Sequence, residues 1–279
     1  NAIHRADPEA KIVGFGGVYD YNWILSSIGY MGTNWKNYLD YISTHLYPGG
    51  EGNALAFKTN IIDQYNIEVW NTETGMWDTG FYKGSNSNFI TVGEAIWPYK
   101  DSERYHVGSI GAAEKVAINF LQTIGNGMSR YFYYDSRQYA DPSYIRSHTT
   151  ILEYDYTIRA KGIAYSIIAS IFDHTKGLGD ISNDTSTSAY LFDKFGTPIV
   201  GIWTIDYVNR YFTLGTDKFK VYNLMGNEII ITGNSIPIGR TPVYVVGQGI
   251  TTEEFKTFFE QGALSYRNAS KSLSKSRSS

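Results

Sequence analysis

Between residues 11 and 172 the chain runs four times from a short apolar stretch into a longer segment with helical spacing. The apolar stretches are residues 11–17, 41–48, 67–74 and 129–135. The helical segments are residues 35–40, 54–65, 110–124 and 152–172. Strands alternating with helices point to parallel pairing in an α/β fold. Short, continuously apolar strands are those covered on both faces, as in the inner ring of a barrel. Residues 2–9 read as the end of a preceding helix, with Asp7-Pro8 as its turn. A polar, aromatic loop follows residue 17, and a long aromatic loop runs from Gly75 to about Gly108. Loops of that length are uncommon unless functional or mobile.

After Asp173 the pattern changes. Residues 177–188 read as a linker. Short alternating runs follow at 189–192, 198–206, 210–214, 218–223, 228–232 and 242–246, separated by turns such as Met225-Gly226-Asn227. This predicts an antiparallel β-sandwich, with Trp203 in its core. Residues 251–261 read as a short helix in which Thr252 caps Glu253 and Glu254. The Ser/Lys/Arg-rich end reads as disordered. The expected organisation is a partial barrel over 1–175, a sandwich over 176–250, and a helix with a tail over 251–279.

Composition narrows the function. The chain is 42% hydrophobic and 16% aromatic, with 24 Tyr and 6 Trp. Such aromatic content suits clefts where pyranose rings lie on aromatic faces, although Tyr and Trp also serve strands and cores. A net charge of −3 argues against a nucleic-acid partner. The chain has no cysteine, which excludes disulfides and thiolate metal sites. No apolar stretch of about 20 residues exists to span a membrane. No His-x-x-x-His pair, Gly-x-Ser-x-Gly elbow or dinucleotide fingerprint is present, so no cofactor is expected. Asn183-Asp184-Thr185 and Asn268-Ala269-Ser270 fit the glycosylation pattern. The start at Asn1 is neither a methionine nor a signal peptide, so processing, or truncation of a longer chain, is the expected account. The compartment stays open, with an extracellular one compatible.

One carboxylate stands out. Along residues 67–75, counting by two puts Ile67, Val69, Asn71 and Glu73 on one face, and Glu68, Trp70 and Thr72 on the other. Glu73 then stands at the carboxyl end of a strand, where barrel active sites lie. The same count puts His45 and Tyr47 on one face of the preceding strand. From there Tyr47 reaches Glu73 as a hydrogen-bond donor and His45 reaches a sugar hydroxyl. Trp77 and Trp97, on the long loop, are candidate stacking residues.

These stretches carry a resemblance. Ala6-Asp7-Pro8-Glu9-Ala10-Lys11-Ile12-Val13-Gly14, Ser43-Thr44-His45-Leu46-Tyr47-Pro48, Trp70-Asn71-Thr72-Glu73-Thr74-Gly75 and Arg130-Tyr131-Phe132-Tyr133-Tyr134 resemble strands five to eight of a large clan. It comprises (β/α)8 retaining glycoside hydrolases and includes β-xylosidases, β-galactosidases and endoglycanases. Residues 190–192, 200–204, 223–228 and 241–244 resemble the β-sandwich that often follows such barrels. The resemblance covers most of the chain to about residue 250. It implies the second half of a (β/α)8 barrel, with Glu73 as nucleophile. His45, Tyr47, Asn71, Trp77, Trp97 and Tyr134 are the candidate residues around the sugar, with Asn71, one step below Glu73, more often a structural hydrogen-bonder. The clan's acid/base Glu follows an Asn at the end of strand four, and no such pair precedes Lys11. The clan's strand-eight Trp is replaced here by Tyr133, Tyr134 or Asp135. The expected partners are a carbohydrate substrate and either the missing amino-terminal barrel half or a second copy of the chain. The chain alone is then expected to be inactive. The alternative is a non-catalytic carbohydrate-binding or interaction module derived from such a barrel.

Overall fold

The computed structural model describes residues 2–16, 20–48, 51–76, 107–136, 150–152, 156, 158–206, 208–231 and 233–266. A first part contains α1 (Ala2–Ala6), β1 (Val13–Gly14), α2 (Tyr21–Met31), β2 (Tyr41–Thr44), α3 (Glu51–Phe57), β3 (Val69–Thr74), α4 (Val107–Gly125), β4 (Arg130–Tyr133) and α5 (Ala160–Phe172). Among the described residues β1 to β4 form a parallel sheet in chain order. Ile42 and Val69 point at the helices and share a core with Phe57, Ile61, Ala117 and Leu121. Burying side chains of this size contributes about 1.5–3 kcal/mol each.

The other face of this sheet is aromatic. Trp70 stacks on Tyr41 at 4.5 Å and lies 6.3 Å from Phe132, which is 46% exposed. Parallel sheets ordinarily bury both faces. Here the helices cover one face, and the Tyr41–Trp70–Phe132 face stands open among the described residues.

The second part is antiparallel: β5 (Lys176–Asp180), β6 (Thr187–Lys194), β7 (Thr197–Thr204), β8 (Arg210–Thr213), β9 (Phe219–Tyr222), β10 (Glu228–Ile229), β11 (Ser235–Ile238), β12 (Val243–Gly247), α6 (Thr252–Glu260) and β13 (Ala263–Tyr266). A six-stranded sheet runs in the order β10-β9-β12-β7-β6-β5, and a three-stranded sheet in the order β11-β8-β13. Strand alternation splits the large sheet between two cores. Leu191, Val200, Ile202 and Val245 pack with Phe212 and Ile236 of the small sheet and with Phe255 and Phe259 of α6. Tyr190, Phe192, Trp203 and Tyr244 face the other way, into the core shared with α4 and α5. Phe172 of α5 meets Phe192 at 4.7 Å and Tyr244 at 5.4 Å. Trp203, expected inside a sandwich, therefore lies on the helix-facing side.

Three glycines permit this contact. A side chain at Gly201 would collide with Leu121, one at Gly125 with Tyr190, and one at Gly177 with the Ile124 carbonyl. At the rim, Glu114 accepts from the Thr241 hydroxyl at 2.5 Å and pairs with Arg240 Nε at 2.8 Å.

Several expectations are corrected. The stretch read as a loop contains α2, capped by Asp20, whose side chain accepts from Asn22 N, and it buries Ile24 and Ile28. Asn22, Ser26, Ser27 and Gly29 are poor helix formers and mask that signal. The helix expected at 35–40 is a 3-10 turn, Gly32–Asn37. The last helix of the first part begins at Ala160 rather than 152. Leu152 and Ile158 form an antiparallel bridge instead, and the missing side chain of Gly162 leaves room for the Ile151 carbonyl. The linker expected at 177–188 overlaps β5, whose glycines are disfavoured in strands, although Gly177 lets the strand touch α4. Thr251, not Thr252, caps α6, in a capping box with Glu254. Since β13 pairs with β8 and α6 fills the antiparallel core, residues 252–266 are part of that unit. Asn183 donates to the Gly262 carbonyl at 2.7 Å and the Phe259 carbonyl at 3.3 Å, so its amide serves packing. Asn268 lies outside the described residues.

The glycine contacts yield a ranked expectation. Gly177→Ala meets backbone, which cannot yield, and should cost about 1–3 kcal/mol. Gly201→Ala meets only the flexible Leu121 side chain and should cost less. Urea unfolding midpoints of the two variants measure the order.

Candidate active site

The site is built where β3 ends. Its pairing with β4 runs Trp70↔Arg130 and Asn71↔Tyr131, and then jumps to Thr74↔Tyr133. Three steps along β3 match two along β4, so β3 carries one extra residue, a bulge. Below the bulge Val69 and Asn71 are buried on the helix side; beyond it Thr74 is buried instead, and its hydroxyl donates to Asn119 at 3.2 Å. The simple count that put Glu73 on the face of Val69 and Asn71 is therefore corrected. The bulge breaks the alternation and leaves Glu73 35% exposed, turned toward the exit of β2.

There the Tyr47 hydroxyl donates to Glu73 Oε1 at 2.5 Å, and His45 Nδ1 lies 3.8 Å from Oε2. The residue between them is fixed by Asn71. Its Oδ1 accepts from Leu46 N at 2.9 Å, and its Nδ2 donates to the Leu46 carbonyl at 3.1 Å. Asn71 is 0% exposed. Of its two expected roles it takes the structural one, spending both ends of its amide on the backbone of β2's exit. That fixes the direction in which His45 and Tyr47 leave Leu46.

The chain after Glu73 is held from the other side. Tyr134 N donates to the Thr74 carbonyl at 2.5 Å. Only glycine fits at Gly75, because a Cβ there would collide with the Tyr134 carbonyl. Met76 N donates to the Tyr133 hydroxyl at 3.2 Å, and Lys161 of α5 donates to the Met76 carbonyl at 3.0 Å. Beneath, the Tyr131 hydroxyl joins Thr74 on Asn119 at 2.9 Å. Burial pushes the Tyr131 phenol well above its ordinary pKa, so it stays neutral and able to donate.

The structure thus brings Glu73, Tyr47 and His45 together. It puts Tyr134 beside Gly75 and Asn71 beneath the site. Trp77 and Trp97 lie outside the described residues. Sequence reasoning missed Lys161, which holds the Met76 carbonyl, and Asn119, which accepts from the Thr74 and Tyr131 hydroxyls; neither carries a motif. A carboxylate held by a phenol beside an imidazole can attack an electrophilic carbon or accept from a hydroxyl. Retaining glycoside hydrolysis uses such a carboxylate with a second carboxyl about 5–5.5 Å away.

No family model and no curated protein matches the sequence. Solved structures do match in shape. A family 39 glycoside hydrolase from the gut symbiont Bacteroides cellulosilyticus WH2 superimposes with a TM-score of 0.64 at 17% identity, over 88% of this chain and 52% of that one. A conserved exported protein from Bacteroides fragilis gives 0.57 at 14% identity, over 88% and 57%. A GH30 endoxylanase from Clostridium papyrosolvens C71 gives 0.53 at 12% identity, over 88% and 57%. The chain spans about half the length of the structures it matches. At these identities the likeness shows fold alone: a mixed α/β fold shared with glycoside hydrolase barrels.

The Asn71 amide gives the test of this geometry. Asn71→Ala leaves the buried Leu46 N–H and carbonyl without their partner, at about 1–3 kcal/mol for each group. A drop of that size in unfolding free energy by urea titration is expected.

Proposed function

We propose that the chain is the nucleophile-bearing part of a retaining glycoside hydrolase acting on β-linked glycosides. In this reading β1 to β4 are strands five to eight of a (β/α)8 barrel, and the antiparallel part is its β-sandwich. The observation that carries the proposal is the Glu73 carboxylate at the carboxyl end of the third parallel strand, with Tyr47 at 2.5 Å and His45 at 3.8 Å. Active sites of parallel barrels gather at that edge.

Glu73 attacks the anomeric carbon, and the bond to the leaving oxygen breaks as a carboxyl group supplied from outside these residues protonates it. Water then gives a proton to that same group, now a carboxylate, and attacks the anomeric carbon of the glycosyl ester, whose bond to Glu73 breaks and frees it. Tyr47 orients the carboxylate before attack, and His45 meets a sugar hydroxyl. Tyr134, Trp77 and Trp97 are the proposed sugar-facing residues. The partner is an amino-terminal barrel half, or a second copy of this chain, seated against the open Tyr41–Trp70–Phe132 face. The second reading is a carbohydrate-binding or interaction module derived from such a barrel and lacking turnover, for which the half-exposed aromatic residue Phe132 on the open sheet face is the supporting observation.

Kinetics on p-nitrophenyl β-glycosides separate the readings. The chain alone should show little or no hydrolysis. Produced together with an upstream segment supplying four further strand–helix units, it should hydrolyse at least one of them, and Glu73→Gln should lower kcat by roughly a thousandfold or more. Efficient hydrolysis by the chain alone that survives Glu73→Gln contradicts the proposal. Glycan binding without turnover in the joined protein favours the module.

A further inference from the structure

A second aromatic feature lies at the same edge of the parallel sheet, away from Glu73. Phe15 follows β1 directly, and Trp23 sits in the first turn of α2, the helix that β1 feeds. Their rings meet edge to face at 5.8 Å and 88°. Trp23 does not join the core that Ile24 and Ile28 enter on the same helix; it is 51% exposed. Phe15 has φ +66°. A bulky residue rarely takes that conformation, and backbone held there clusters at ligand sites. Here the left-handed turn puts the Phe15 ring under Trp23, with part of it packed on the core, so the indole is braced from below. Asp20 and Asn22 stand exposed beside it, the Asp20 carboxylate accepting from Asn22 N at 2.9 Å.

We infer that Trp23, braced by Phe15, is a stacking platform for a pyranose ring, forming a glycan subsite remote from Glu73. A rigid, half-exposed indole offers an apolar face to the C–H face of a sugar, and the neighbouring carboxylate and amide suit its equatorial hydroxyls. The order β1-β2-β3 puts the strand that feeds the platform two places from the strand that carries Glu73, about 10 Å between strands at ordinary spacing. A ligand touching both is therefore an oligosaccharide rather than a monosaccharide. This rests on the reading of Glu73 as part of a glycoside site.

Affinity electrophoresis of the purified chain tests it, in native gels containing birchwood xylan, barley β-glucan or galactan. The wild type should be retarded by at least one polysaccharide. Trp23→Ala should weaken that retardation by roughly five- to tenfold, and Trp23→Phe, which keeps an aromatic face, should retain most of it. Circular dichroism should be unchanged in both, as the side chain is half exposed. Equal retardation of wild type and Trp23→Ala overturns the platform and leaves the Glu73 reading standing, as does a Trp23→Phe as weak as Trp23→Ala. No retardation of the wild type by any of the three overturns the platform, and the Glu73 reading is decided separately by the kinetics of the joined protein.

Discussion

The reciprocal pair between the Asn71 amide and the Leu46 backbone is the contact on which the site depends. β2 ends at Thr44, so sheet pairing no longer directs the chain beyond it. His45 and Tyr47 flank Leu46, and without a clamp there they would leave the strand in no fixed direction. The amide satisfies one donor and one acceptor that burial would otherwise leave unpaired, at about 1–3 kcal/mol each. One step further, the bulge turns Glu73 out of the helix-covered face to meet Tyr47. The clamp needs Asn71 buried and the carboxylate needs Glu73 accessible. In a regular strand residues 71 and 73 would share a face, so the extra residue reconciles the two.

Packing supports this end of the sheet from a distance. α4 and α5 lie between the parallel sheet and the six-stranded antiparallel sheet, so both parts share a core. The contact is tight because Gly125, Gly177 and Gly201 remove side chains where helix and sheet meet. The same helices reach the site. α4 supplies Asn119 beneath Thr74, and α5 supplies Lys161 to the Met76 carbonyl. A change at the helix–sheet contact is therefore two steps from the backbone that carries Glu73.

The strand–helix order, the four parallel strands and the change to antiparallel runs after Asp173 were legible because they rest on hydrophobic periodicity. The site was legible where it rests on local spacing, with Glu73 at a strand end and His45 and Tyr47 two apart on its neighbour. The face of Glu73 was not, because a bulge is invisible to a count by two. Asn71 was open between a structural hydrogen bond and a sugar contact, since no local pattern shows that its amide will be spent on the backbone after β2. α2 was hidden by Asn22, Ser26, Ser27 and Gly29, whose weak propensities are overridden by burial of Ile24 and Ile28. β5 was hidden by Gly177 and Gly179, the first of which lets it approach α4.

The most direct test is covalent. A 2,4-dinitrophenyl 2-deoxy-2-fluoro-β-glycoside carries a leaving group that departs without a proton donor, so its first step reads the nucleophile alone. The chain joined to the amino-terminal barrel half proposed for it is incubated with the xyloside, glucoside and galactoside forms, and its mass and peptides are analysed. The predicted result is the addition of one fluorosugar, by an ester at Glu73, abolished in Glu73→Gln. Labelling at another carboxylate, or labelling that persists in Glu73→Gln, contradicts it.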